Sequence, residues 1–161
     1  MKKIILALFC ISFTTSLCFS QGFKDRIVNK EWILETPKID TANQLNFSIY
    51  AKEKVEINTM IWKFLPNGKI SYDYQTSSDV EACLGVDFID LDLTASSWKW
   101  DPSRLVLTIQ LKGGYAGIDD FVMKNDYQVH FKFEGNNMNA FSLIKSKSVF
   151  FKILNPEYVK P

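Results

Sequence analysis

The chain has 161 residues, with 19 Lys and Arg against 18 Asp and Glu, and aromatic side chains make up 14% of it. A formal charge of +1 leaves no electrostatic footprint for nucleic acid or an anionic membrane surface. The aromatic content excludes a disordered tail, and the length suits one domain around one core.

In chain order, residues 1–20 read as a leader. Met1-Lys2-Lys3 is a short basic start, Ile4 to Phe13 is an apolar run too short to span a bilayer, and Cys18-Phe19-Ser20 carries small residues where a signal peptidase reads. The expectation is cleavage after Ser20, leaving one domain over 21–161 that is secreted or periplasmic. A lipid anchor at Cys18 is less favoured, because Leu17 is a poor neighbour for a modified Cys. No later segment is apolar enough for a transmembrane helix. Removing Lys2 and Lys3 takes the basic count from 19 to 17 against 18 acidic residues. Cys83 is then the single thiol, so no intramolecular disulfide forms and the fold must hold by burial.

Period-two alternation predicts strands at Glu31–Thr36, Leu45–Lys52, Asn58–Leu65, Lys69–Gln75, Ser97–Asp101, Leu105–Leu111, Asp126–Glu134, Met138–Lys145 and Ser148–Leu154. The clearest hairpin is Trp62–Tyr74, where Trp62, Phe64, Ile70, Tyr72 and Tyr74 share one face across Pro66-Asn67-Gly68. Further turns are expected at Thr36-Pro37, Asp101-Pro102-Ser103, Gly113-Gly114 and Gly135-Asn136-Asn137. Ser77–Leu93 and Tyr115–Lys124 fit no single pattern. Short turns imply antiparallel neighbours, and hiding the edges of such a series needs a closed barrel or a two-sheet sandwich. The meander favours an all-β, up-and-down antiparallel barrel of about eight strands.

Several segments resemble the lipocalin-like, calycin-type domains of exported bacterial proteins. They are Trp32 within Asn29–Leu34, Phe64–Gly68, Ser97-Trp98-Lys99-Trp100-Asp101 ahead of Leu105-Val106-Leu107, Tyr127–Phe133, Phe141–Lys145 and Phe150–Ile153. The resemblance spans nearly all of the expected mature chain and implies a barrel. It also implies that a late cation, Lys145 or Lys147, packs over Trp32.

A barrel of eight strands either fills with its own side chains or holds one small ligand. Trp62, Phe64, Tyr72, Tyr74, Trp98, Trp100, Tyr127 and Phe131 are the candidate wall of a pocket, with Lys145 holding a ligand carboxylate or standing in water. The leading expectation is therefore a non-enzymatic protein that binds a small, largely apolar molecule and needs no cofactor. The alternative is a filled barrel whose loops, 77–92 and 113–124, contact a protein partner. Asp87, Asp90 and Asp92 lack the spacing of a calcium loop, and His130 lies on the outward parity without partners for zinc. No Gly-x-Ser-x-Gly elbow occurs, and Cys83 has no base near it in sequence, so neither metal nor catalytic residues are expected.

Overall fold

Residues 23–36, 38–55, 59–75, 91–115 and 121–154 are described by the structure, a computed structural model, with backbone alone for Tyr74, Gln75, Leu91, Asp92 and Tyr115. The expected leader 1–20, Cys83, Asp87, Asp90 and most of the 77–92 loop lie outside them.

Turn chemistry sets the strands. Asn67 accepts the Lys69 N–H at 3.0 Å and Gly68 has φ of 81°, which closes the hairpin between β3 (Thr59–Phe64) and β4 (Ile70–Gln75). Asp101 accepts the Ser103 hydroxyl at 2.6 Å and the Ser103 and Arg104 N–H groups at 3.0 and 3.3 Å, turning β5 (Leu91–Asp101) into β6 (Val106–Tyr115). The Ser103 hydroxyl is the main cause that holds the Asp101 carboxyl below its ordinary pKa. Gly135, at φ of 59°, opens the two-residue loop from β7 (Phe121–Glu134) to β8 (Asn137–Ile153).

With β1 (Glu31–Leu34) and β2 (Gln44–Ile49), these strands form one antiparallel sheet in the order β4-β3-β1-β2-β8-β7-β6-β5. The sheet curls until its two edges meet. The result is the expected all-β barrel of eight strands, nearly closed. Consecutive strands are neighbours except between β2 and β3. There the chain passes through a 3-10 turn at Lys52–Lys54 and re-enters on the far side of β1.

Among the described residues the β4–β5 seam carries one backbone bridge, Lys69 to Ser97. Side chains complete it. The Trp98 indole N–H donates to the carbonyls of Leu65 and Lys69 at 3.0 and 3.1 Å, the Trp98 backbone N–H donates to Gly68 at 2.7 Å, and the Ser96 hydroxyl donates to Ile70 at 2.6 Å. Tyr72 adds its hydroxyl to the Leu93 carbonyl.

Two expected strands, Met138–Lys145 and Ser148–Leu154, are one. Ser146 and Val149 are extra residues opposite β7, and these bulges carry β8 past what reads in sequence as a break. Leu105 also departs from expectation. It takes φ of 54° to finish the turn and is exposed, so the inward run begins at Leu107.

The interior is aromatic. Phe47 stacks on Phe141 at 4.6 Å, Trp32 meets Phe141 edge-on at 4.8 Å, and Phe64 touches Phe47, Trp62 and Trp98. Residues 23–27 are helical and close one end: Phe23 and Ile27 are fully buried, and Phe23 stacks on Trp100 at 4.7 Å. Ile39, from the β1–β2 connection, is buried in the same core.

Phe23→Ala should cost about 3–5 kcal/mol, read as a lower urea midpoint with an unchanged slope. A Cβ at Gly68 would sit 3.2 Å from the Trp98 carbonyl at a positive φ, so Gly68→Ala should cost about 1–2 kcal/mol and loosen the seam. Unchanged midpoints in both variants would refute the plug and the seam as sources of stability.

Candidate functional site

β7 places alternate side chains inward, and that row reads Phe121, Met123, Asn125, Tyr127, Val129, Phe131. Five of the six are hydrophobic or aromatic. Asn125 is 1% exposed, and its amide nitrogen donates to the Tyr127 hydroxyl at 3.2 Å and lies 3.8 Å from the Met123 sulfur. Its Oδ1 is buried without a hydrogen-bond partner among the described residues. A buried, unpaired amide oxygen costs roughly 1–3 kcal/mol, which makes Oδ1 a candidate acceptor for a ligand group or an ordered water.

The surroundings follow from register. Asn125 stands opposite Ile109 on β6 and Ser148 on β8, while Tyr127 stands opposite Leu107 and Lys145. The patch is therefore an amide and a phenol in an apolar wall, with an ammonium group on the next strand. Burial pushes the Tyr127 phenol above its ordinary pKa, against a smaller opposing effect from the Asn125 hydrogen bond. A neutral Tyr127 donor and the free Asn125 acceptor can hold one hydroxyl or amide group of a ligand.

The other residues expected at the site separate into groups. Trp62 and Phe64 are fully buried in the aromatic cluster, and the Trp62 and Trp100 indole N–H groups are buried without partners among the described residues. Trp98 and Tyr72 are on the inward face, but their polar atoms are used in the seam. Tyr74 lies on β4 opposite Met60, and its side chain lies outside the described atoms. Phe131 is half-buried beneath Arg26, whose guanidinium also covers Phe133 at 5.1 Å. Tyr127 and Lys145 are thus brought together, whereas Trp98 and Tyr72 serve closure.

The cation expected over Trp32 is not what covers it. Trp32 is enclosed by Phe141, and its indole N–H donates to the Ile27 carbonyl at 3.0 Å. Lys145 instead lies beside Tyr127 in register, and Lys147 lines a groove on the outer surface. His130 is exposed, as its parity predicts.

Asn125 is the site residue that sequence inspection passed over. It falls just before the clean alternation that starts at Asp126. Extending that alternation back to Phe121 exposes it as the one polar side chain on the inward row. No protein-family model, curated protein or solved structure matches this chain.

Tyr127 gives a pH test with a definite sign. Its folded pKa lies above the unfolded value of about 10, so its contribution is full below pH 10 and is lost as pH rises through the folded value. The urea midpoint should fall above about pH 10, and less steeply in Tyr127→Phe. Parallel curves for the two proteins would place the alkaline loss elsewhere.

Proposed function

We propose that this protein is an exported, non-enzymatic, lipocalin-like barrel that holds a small, largely apolar molecule inside. The observation that carries this is the buried, unpaired Oδ1 of Asn125 beside the Tyr127 hydroxyl in an otherwise apolar wall. The molecule accordingly bears a hydroxyl or N–H group. Its apolar body contributes about 25 cal/mol per Å² buried, and the Asn125–Tyr127 pair sets orientation. The eight-stranded antiparallel barrel supports the lipocalin-like reading because such a barrel encloses one ligand at most.

A second reading makes the barrel a filled scaffold for a protein partner. It is favoured by Val149, Phe150, Phe151, Ile153 and Leu154, all exposed near the end of β8. The loops 77–92 and 113–124 would then share the contact surface.

Native mass spectrometry of the full chain purified from its own host separates the two, since a carried molecule appears as added mass. Asn125→Leu should remove that mass or weaken binding about tenfold or more, while the ligand-free protein keeps its unfolding free energy within about 1 kcal/mol. Ligand retained at full occupancy by Asn125→Leu would overturn the assignment of Asn125.

A further inference from the structure

The outer faces of β5 to β8 carry a groove of about 450 Å³, on the side of the sheet opposite Asn125. Its centre is a row of cross-strand neighbours. Lys99 stands opposite Thr108, Thr108 opposite Asp126, and Asp126 opposite Lys147. Two short side chains between two long ones make a trough, with the lysine backbones about 14 Å apart at the usual strand spacing. Along the strands, Lys124 borders one end of this row and Arg104, from the β5–β6 turn, the other.

The floor is chemically unusual. Asp126 is 8% exposed, and one carboxylate oxygen accepts the Thr108 hydroxyl at 2.6 Å. The other oxygen is 4.0 Å from the Arg104 guanidinium, within ion-pair range but beyond a hydrogen bond. The Ser146 hydroxyl donates to the Asp126 carbonyl at 3.1 Å and fixes the backbone at the bulge. A largely buried carboxylate with one hydrogen bond among the described residues therefore presents an acceptor to the trough. Around it four cations, Lys99, Arg104, Lys124 and Lys147, outnumber the two carboxylates Asp101 and Asp126.

We propose that this groove binds a hydroxylated small molecule carrying one anionic group, in the class of sugar phosphates and sugar acids. A ligand hydroxyl donates to the Asp126 oxygen that faces Arg104, and the anionic group lies between Lys124 and Lys147. A bare anion is a poorer fit, because Asp126 and Asp101 repel it without being used. A neutral sugar is a poorer fit, because it leaves the cationic excess unanswered. The volume lies in the lower part of the range for small-molecule sites, as a monosaccharide requires.

Isothermal titration of the folded, full-length chain tests this with four probes: glucose 6-phosphate, glucuronate, glucose and inorganic phosphate. At least one of the first two should bind with Kd of about 1 mM or tighter, and glucose and inorganic phosphate at least about tenfold more weakly. Which of the two sugar anions binds identifies the anionic group. The double variant K124E/K147E, which changes only exposed side chains, should lose at least about tenfold in affinity with an unchanged thermal midpoint. Asp126→Asn should weaken the sugar anion and leave inorganic phosphate no weaker. Failure of both sugar anions to bind, equal binding of inorganic phosphate, or affinity unchanged in K124E/K147E would overturn the proposal.

Discussion

Rolling a sheet into a cylinder leaves one seam where two edges must be reconciled, and here that seam is held chiefly by side chains. An open edge presents a row of unpaired N–H and C=O groups. Between β4 and β5, Lys69 and Ser97 form the only backbone bridge among the described residues. Trp98 does most of the rest: its indole N–H sits between two carbonyls of the β3–β4 turn, and its backbone N–H reaches Gly68. The turn is thereby a socket as well as a connection, and Gly68 is needed twice, for its positive φ and for the close approach of the Trp98 carbonyl. The enclosed core depends on this closure. Phe64 and Phe23 both pack on the Trp98 ring, so an opened seam would wet the aromatic cluster and the plug together.

The barrel is uneven around its circumference. β1 to β4 are short, at 4 to 6 residues each, whereas β5 to β8 run from 10 to 17. The long strands supply both candidate sites. Asn125 and Asp126 are successive residues of β7, and the two-residue period of a strand sends one into the barrel and the other to the outer groove. Each is a buried polar group in which one oxygen lacks a hydrogen bond within the described structure. The two sites are therefore back to back across a single layer of backbone. Bulges opposite this stretch let β8 follow β7 to its beginning, which places Ser148 by Asn125 and Lys147 by Asp126.

Much of the barrel was legible in the chain because strand faces are written locally. The alternation in Trp62–Tyr74 and Tyr127–Phe133 shows which side chains share a face, and Asn67-Gly68 and Asp101-Pro102-Ser103 mark turns by their own backbone chemistry. Leu105 misled because a leucine at φ of 54° is uncommon, and the demand of the turn outweighed its preference. The break at Ser146-Lys147 misled for a related reason: a bulge conserves pairing without conserving parity, and nothing in the residue types announces it. The same limit hid Asp126, whose outward parity reads as a solvated carboxylate until Thr108 and Lys147 are placed beside it.

The sequence by itself determined that this is an all-β chain of antiparallel hairpins with an aromatic inner face, since alternation and turn propensity act over a few neighbouring residues. Only the tertiary structure decided that β2 and β3 straddle β1, that the 23–27 helix seals one end, and that Trp98 locks the seam. It also decided which polar atoms are left unpaired. Such facts depend on groups far apart in sequence competing for the same space and the same hydrogen bonds. That competition is resolved only when the sheet closes.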